Sequence, residues 1–171
     1  PPLPEVMAAR EKGIKVISEI ELAYPYLQGK LIGITGSNGK TTTTTLVYSM
    51  LKKAGFRVHL TGNIGRPLIS FVSKVKPDHL VVTELSSFQL EFTEKFRTDI
   101  SVFLNVSPNH LDWHKTFDSY LQAKKKLFDH RQPGDQVIIN RDDPHLWAWR
   151  QEKKQELYAF SRKHSVPRGC Y

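Results

Sequence analysis

Cysteine and long apolar runs are scarce in this 171-residue sequence, and each scarcity excludes a class of protein. Cysteine occurs once, at Cys170, so neither a disulfide framework nor a cysteine-based metal site is supported. No apolar run approaches the roughly 20 residues that a membrane helix needs, and the first residues contain no apolar signal-peptide core. We therefore predict a protein without membrane segments that acts in a reducing cytoplasm.

Acidic residues are outnumbered, since 25 lysines and arginines against 17 aspartates and glutamates give a formal net charge of +8. Apart from Lys124–Lys126 and a thin scatter after Arg150, the positive residues are dispersed along the chain. Nucleic-acid binding is therefore a weaker interpretation than attraction of small anionic ligands.

Short apolar segments alternate with helix-length segments, which is typical of an α/β protein with a mainly parallel sheet. The strand segments are continuous rather than alternating, as expected where helices cover both faces of the sheet. The predicted strands are Leu31–Thr35, Arg57–Leu60, His79–Glu84, Ile100–Asn105, Gln136–Asn140 and Leu157–Phe160. The predicted helices are Pro4–Lys12, Lys40–Ala54, Pro67–Val75, Phe117–His130 and Pro144–Lys153. We interpret residues 1–30 as a lead-in and residues 31–171 as one Rossmann-like domain.

The segment GITGSNGKTTTTTL, residues 33–46, joins the first predicted strand to a long helix. It contains the Gly-Lys-Thr end of a phosphate-binding loop, but Ile34 stands where the usual spacing has its first glycine. That position falls inside the strand, where isoleucine is the better residue. The strand–loop–helix context therefore favours a phosphate-binding loop over a simple surface turn.

The residues of this loop have the chemistry that a phosphate requires. Gly36 and Gly39 permit a turn whose backbone N–H groups point inward, and the helix that follows adds its positive end. Lys40 supplies a charge towards the phosphates and Thr41 a hydroxyl towards Mg²⁺. The predicted nucleotide-binding residues are Gly36, Ser37, Asn38, Gly39, Lys40, Thr41 and Thr42.

Polar residues follow the next buried strand segment at the edge where such sheets bind their ligands. Glu84 ends the segment and is a natural Mg²⁺ ligand there, although a solvated acid at a loop start is the alternative. Ser86, Ser87 and Gln89 come next. Ser86 either contacts substrate or caps the following helix.

His110 and His114 are four residues apart, with Asp112 between them. On a helix this spacing permits a zinc site, but Pro108 and the lack of an apolar stripe favour a loop. No cysteine or upstream histidine completes a zinc set. We expect His110 to contact Mg²⁺ or the substrate and His114 to be structural.

Two short polar motifs have structural interpretations, and the first also has a functional one. Asn63 lies within Gly62–Gly65, where flanking glycines allow close approach to a ligand or simply form a turn. Asp142 and Asp143 precede Pro144 and are expected to cap the next helix.

The loop TGSNGKTT resembles that of the Mur ligases, the ATP-dependent amide-forming enzymes of peptidoglycan synthesis. Further motifs occur in the order of that family, and the resemblance extends over residues 1–143. They are GNIG (62–65), ELSSFQLE (84–91), NVSPNHLDWH (105–114), YLQAKKKLF (120–128) and NRDDP (140–144). One departure is Asn109, where the family commonly has aspartate.

The resemblance implies the central ATP-binding domain of a three-domain ligase whose other domains lie outside this chain. The segment ELSSFQLE is most similar to the D-glutamate-adding branch, in which ATP phosphorylates the terminal carboxylate of UDP-N-acetylmuramoyl-L-alanine and the amine of D-glutamate attacks the acyl phosphate. The groups that hold the uridine diphosphate and D-glutamate are expected outside the chain, so we expect the 171 residues alone not to ligate.

Other functions stay open at this point. The chain is also compatible with a Mur-type ligase for another amino acid, a folylpolyglutamate-synthase-like ligase, or a P-loop small-molecule kinase. A basic nucleic-acid module would instead show steep salt dependence and indifference to ATP.

The resemblance also implies roles for individual residues. Catalytic roles fall on Lys40, Lys124 and His110, and substrate contacts on Asn63, Ser86 and His110. Two Mg²⁺ sites are implied, with ligands from Thr41, Glu84, His110 and a carbamate on Lys124.

Lys124 can also be interpreted from its position in the predicted helix Phe117–His130. It shares the apolar stripe of that helix, whereas Lys125 and Lys126 are rotated towards solvent. Either its ammonium group extends past the stripe into water, or burial lowers its pKa from about 10.4. A neutral amine reacts with CO₂ to form a carbamate, an oxygen ligand suited to Mg²⁺.

Overall fold

The computed structural model describes residues 3–151 and 157–170, in which seven strands form one sheet. The strand order is β2-β3-β1-β4-β5-β6-β7, and every neighbouring pair is parallel. The strands are β1 (Lys30–Thr35), β2 (Val58–Gly62), β3 (Leu80–Glu84), β4 (Ile100–Phe103), β5 (Gln136–Asn140), β6 (Leu157–Phe160) and β7 (Gly169–Cys170). The predicted parallel α/β fold is confirmed.

Helices connect most of these strands. They are α1 (Pro4–Glu11), α2 (Glu19–Ala23), α3 (Lys40–Lys53), α4 (Ser87–Glu91), α5 (Leu111–His114), α6 (Phe117–Asp129) and α7 (Pro144–Ala148). Short 3-10 turns form at Tyr24–Tyr26, Leu68–Phe71 and Trp149–Gln151. None of the helices in the described ranges is both long and apolar enough to cross a membrane.

Two predicted helices differ from the structure. The predicted helix Pro67–Val75 is wrong, because only the turn Leu68–Phe71 forms there. The predicted helix Pro144–Lys153 ends as an α-helix at Ala148 and continues as a 3-10 turn to Gln151. Its predicted end at Lys153 lies outside the described residues.

Apolar side chains pack on both faces of the sheet. On one face, α3 covers Ile32, Ile34 and Val82. On the other, α6 and its neighbours cover Val81, Leu85, Phe103, Val137 and Ile139. Because successive strand residues point to opposite faces, these two sets alternate along the chain.

Burial decreases from the centre of the sheet outwards. Nearly every residue of β1 and β3 is buried, as predicted for strands covered on both faces. In β4 and β5 buried and half-buried residues alternate, and Ile100, Val102 and Ile138 stay half-buried. The prediction that the strands are buried on both faces is therefore correct only for β1 and β3, at the centre of the sheet.

Residues 18–26 pack against the rest of the chain. Ile20 and Ala23 in α2 are fully buried within the core beneath the sheet. The Glu21 carboxylate accepts hydrogen bonds from the backbone N–H groups of residues 94–96. The boundary placed after residue 30 stays a prediction, and Pro1 and Pro2 lie outside the described residues.

Candidate active site

The glycine loop lies at the carboxyl edge of the central strand. The connection after β1 leads to β2 on one side of this strand, and the connection after β3 leads to β4 on its other side. Open parallel sheets bind their ligands at the carboxyl edge where the connections diverge in this way. Ile34 is fully buried in β1 opposite Glu84, so the missing motif glycine does fall inside the strand. Gly39 has φ of 79°, a left-handed conformation that glycine adopts without strain.

The Asn105 side chain binds the backbone of the first half of the loop. Asn105 Oδ1 accepts from the backbone N–H groups of Ser37 at 3.1 Å and Asn38 at 2.9 Å. These two amides therefore already have an acceptor, and their contact with a nucleotide stays a prediction. The N–H groups of Lys40, Thr41 and Thr42 open α3 and have no acceptor within the helix, as expected for a first turn.

Lys40 folds over the loop that precedes it. Its Nζ donates to the carbonyl oxygens of Gly36 and Ser37, both at 3.0 Å. Burial lowers the pKa of its amine, and the negative charge of Glu84 opposes that shift. The ammonium group therefore lies beside the N-terminus of α3. A phosphate bound there would be attracted both by the Lys40 charge and by the positive end of the helix dipole.

Glu84 is buried at the end of β3 and has two partners. Its Oε2 accepts from the Thr41 hydroxyl at 2.8 Å, and its Oε1 accepts from Asn63 Nδ2 at 3.0 Å. Gly62 precedes Asn63 with φ of 102°, and any Cβ there would collide with the Glu84 backbone. Glycine is therefore required for this approach, and it brings Asn63 to the carboxylate.

Lys124 is 1% exposed, which confirms the prediction that its side chain is buried. The alternative, in which the ammonium group extends past the apolar stripe into water, is excluded. Its Nζ donates to Thr35 Oγ1 at 3.2 Å and to the Gly36 carbonyl at 3.0 Å, and it lies 4.8 Å from the Tyr120 ring centre. Burial lowers its pKa to about 7, assisted by the charge of Lys40 and opposed by Glu84. A large fraction of this amine is therefore neutral near pH 7.

The two lysines that follow are both half-buried and have different partners. Lys125 pairs with Asp129 one turn further along α6, with 14% of its side chain exposed, so the prediction that it faces solvent is wrong. Lys126 is half-buried and donates to the carbonyl oxygens of Glu91 and Thr93. The prediction that Lys126 faces solvent is therefore wrong, because α4 ends beside this part of α6 and offers these acceptors.

The donors around Glu84 fit Mg²⁺ better than zinc. Across residues 3–151 and 157–170, no three histidine, cysteine, aspartate or glutamate side chains cluster as a complete metal site. Glu84 and Thr41 supply one carboxylate and one hydroxyl oxygen. Mg²⁺ is commonly bound by one or two carboxylates together with phosphate oxygens and water, so this pair fits a metal shared with a nucleotide.

His110 and His114 have different environments. His110 is exposed, has φ of 53° and lies against the Phe88 ring, with 4.7 Å between ring centres. His114 is buried, lies with Nε2 3.0 Å from Ser87 Oγ and stacks on Phe88, in agreement with a structural role. The expected loop is wrong, because Leu111–His114 form α5, a helix too short to show periodicity.

Two predicted capping roles are confirmed and one is not. Ser86 caps α4 in a reciprocal capping box with Gln89, and its contact with substrate stays a prediction. Asp143 caps α7. Asp142 does not, because its carboxylate accepts from the Ser161 hydroxyl and the Arg162 N–H instead.

The sequence did not indicate the roles of Asn105 and Tyr120. Asn105 follows β4 at the same sheet edge as Glu84, and that shared position is a signal that could have identified it. The Tyr120 hydroxyl lies 2.9 Å from the Ser37 hydroxyl, while its ring lies in the apolar stripe of α6 that suggested only packing.

The parallel sheet, its glycine turn and the lysine at the following helix define the class of α/β proteins with a phosphate loop. A family model described as the Mur ligase middle domain matches residues 34–167. The chain belongs to the Mur ligase family.

Curated relatives match nearly the whole chain. The UDP-N-acetylmuramoylalanine--D-glutamate ligase of Caldanaerobacter subterraneus subsp. tengcongensis is 41% identical over 166 residues, which are 97% of this chain and 37% of that protein. The enzyme of the same name from Solibacter usitatus is 46% identical over 168 residues, which are 98% of this chain and 38% of that protein. The chain therefore spans little more than a third of these relatives.

A solved structure shares the fold. The MurF ligase of Thermotoga maritima in complex with ADP superimposes with a TM-score of 0.68 at 23% identity. The match covers 85% of this chain and 36% of that one.

Proposed function

We propose that this chain is the ATP-binding middle part of a ligase that joins UDP-N-acetylmuramoyl-L-alanine to D-glutamate. The names of relatives at 41% and 46% identity support the substrates. The observation that carries the proposal is that Lys40, Thr41, Glu84 and Lys124 meet around one glycine loop, as phosphoryl transfer requires.

The loop would act on the phosphates of ATP. The Lys40 ammonium and the amides that begin α3 would bind the phosphates and stabilise the charge that builds up during transfer. The γ-phosphoryl group passes to the carboxylate of the alanyl end and ADP leaves. The amine of D-glutamate then attacks the acyl carbon, the amide bond forms, and phosphate leaves as the proton of the amine is released.

Thr41 and Glu84 would hold one Mg²⁺, which would supply positive charge at the phosphates. Asn63, which already contacts Glu84, would approach the alanyl end of the first substrate. His110 would contact a second Mg²⁺ or the substrate carboxylate from the exposed side. Ser86 is a further candidate for substrate contact.

Lys124 would carry a carbamate. Its neutral Nζ would attack the carbon of CO₂, so that an N–C bond forms as one C=O π bond breaks; loss of one proton from nitrogen would leave a carbamate anion. The buried amine with a pKa of about 7 supports this chemistry, because only the neutral form is nucleophilic. The new oxygens would be ligands for the second Mg²⁺ together with His110.

The remaining parts of the reaction would depend on portions of the protein outside this chain. We assign the sites for uridine diphosphate and D-glutamate to those portions, and residues 1–30 to a lead-in from one of them. Amide formation needs three substrates held together, so the 171-residue chain alone would not ligate. Because ATP and the uridine nucleotide substrate are cytoplasmic metabolites, the reaction of the full-length protein would take place in the cytoplasm.

Mass spectrometry of the products tests the proposal. The full-length protein is incubated with UDP-N-acetylmuramoyl-L-alanine, ATP and Mg²⁺, together with each member of a panel of D- and L-amino acids. We expect the D-glutamate adduct, with ADP and phosphate released. An adduct with another amino acid would indicate a different Mur-type ligase. In a parallel incubation with a folate in place of UDP-N-acetylmuramoyl-L-alanine, extension of the folate by glutamate would indicate a folylpolyglutamate-type activity. Phosphorylation without amide formation would indicate a kinase.

A further inference from the structure

The loop that follows β4 contacts the phosphate loop through Asn105. Besides accepting from the N–H groups of Ser37 and Asn38, the Asn105 side chain donates through Nδ2 to the Asn38 carbonyl at 3.1 Å. The Ser37 N–H also donates to the Asn105 carbonyl at 2.9 Å. One carboxamide therefore binds both the N–H and the C=O of Asn38.

The residues on either side of Asn105 are anchored by the NRDDP motif, which the proposed reaction does not use. Asn140 Nδ2 donates to the Leu104 carbonyl at 2.9 Å. Asp143 Oδ2 accepts from the Val106 N–H at 2.6 Å, while its other oxygen caps α7. Because both neighbours are fixed, Asn105 has a defined position relative to the sheet.

The Ser37 side chain strengthens the same attachment. Its hydroxyl accepts from the Ser107 N–H at 2.9 Å, donates to the Ser107 carbonyl at 3.0 Å and lies 2.9 Å from the Tyr120 hydroxyl. The first half of the loop is thus bound through backbone and side chain. The amides that begin α3 are left for an anion.

We propose that Asn105 is a positioning residue that holds the phosphate loop in its nucleotide-binding shape, with NRDDP as its support. The inference rests on the proposed function, since it assumes that the loop binds nucleotide. A glycine-containing loop without this brace populates other shapes, and its affinity falls by the fraction that remains competent. When Asn105 holds the loop, phosphate is bound by the first turn of α3 rather than by the Ser37 and Asn38 amides.

Calorimetric titration of the full-length protein with ADP and Mg²⁺ gives the first test. Asn105→Leu keeps the branched shape and the number of non-hydrogen atoms of the side chain and removes its hydrogen bonds, so we expect ADP affinity to fall about tenfold. The control is Gln122→Leu, which makes the same kind of change at an exposed position on α6 and is expected to bind like wild type. Wild-type affinity in Asn105→Leu would overturn the inference, whereas failure of the wild type to bind ADP would contradict the proposed function instead.

Hydrogen–deuterium exchange of the loop separates positioning from packing. Asn105→Asp keeps acceptor oxygens for the Ser37 and Asn38 amides, so we expect wild-type protection in a peptide covering residues 34–43. Asn105→Leu should exchange faster there. Equal protection in the leucine variant would assign Asn105 to packing, and fast exchange in the aspartate variant would also overturn the inference. If the leucine variant does not fold, the aspartate variant decides by itself.

Discussion

The two halves of the candidate site differ in how firmly the chain holds them. In the phosphate-loop half, Ser37 is bound on both backbone and side chain, and Lys124 is buried against the same loop. In the His110 half, the imidazole is exposed, its backbone is left-handed, and its ring lies against Phe88 and Tyr120.

This difference matches the chemistry proposed for each half. Phosphate binding depends on amides and charges that are fixed before the ligand arrives, because ordering them afterwards would reduce affinity. The His110 half faces outwards, where, in the proposed reaction, a second substrate would enter and its product would leave. The loop half is therefore expected to be the more sensitive to mutation.

The largest expected effect is from Lys40→Ala, which removes the charge from the loop half. We expect kcat for ligation by the full-length protein to fall about a thousandfold, because phosphate charge is left uncompensated during transfer. The melting temperature should change little, since the lost hydrogen bonds are offset by removal of a partly desolvated charge. Turnover within tenfold of wild type would contradict the assignment of the loop.

Lys124→Ala tests the link between the two halves. We expect at least about a hundredfold loss of ligation, with partial recovery on addition of formate or acetate, which can replace the carbamate oxygens. Lys125→Ala is the matched control, because Lys125 pairs with Asp129 outside the site, and should stay within about twofold of wild type. Full activity of Lys124→Ala, or no carbamate signal after ¹³CO₂ labelling, would refute the role.

The same lysine should lower the stability of the folded protein. Its pKa is about 7 when folded and about 10.4 when unfolded. Between these values the unfolded chain binds more protons, so the free energy of unfolding rises with pH, whereas below pH 7 the full cost of burying the charge is present. We expect Lys124→Met to stabilise the protein by about 2 kcal/mol at pH 6 and by less at pH 9. Denaturant titration in CO₂-free buffer measures this, and an equal gain at both pH values would contradict the lowered pKa.

Ser86→Ala is expected to have the smallest effect. Loss of the capping hydroxyl on α4 should lower the free energy of unfolding by about 1 kcal/mol. Steady-state kinetics of the same variant tests whether Ser86 also contacts substrate. A tenfold loss of kcat/KM for UDP-N-acetylmuramoyl-L-alanine in the folded variant would support substrate contact, and wild-type kcat/KM would leave Ser86 with the capping role alone.

The fold was largely predictable because β1 and β3 are buried on both faces and give continuous apolar segments. The burial of Lys124 was predictable because α6 is long enough for its apolar stripe to show a helical period. The short helix α5 was not predictable, since four residues span little more than one turn, and α4 was indicated only as the helix that Ser86 could cap. The role of Asn105 depends on contacts across 67 and 68 positions, which a local pattern does not reveal.

A crystal structure of the full-length protein with ADP and Mg²⁺ tests the central claim most directly. We predict that the β-phosphate is bound by Lys40 and the first amides of α3, with Thr41 at the metal and Asn105 still bonded to Ser37 and Asn38. A phosphate bound away from the loop, or Asn105 displaced from it by the nucleotide, would contradict the account.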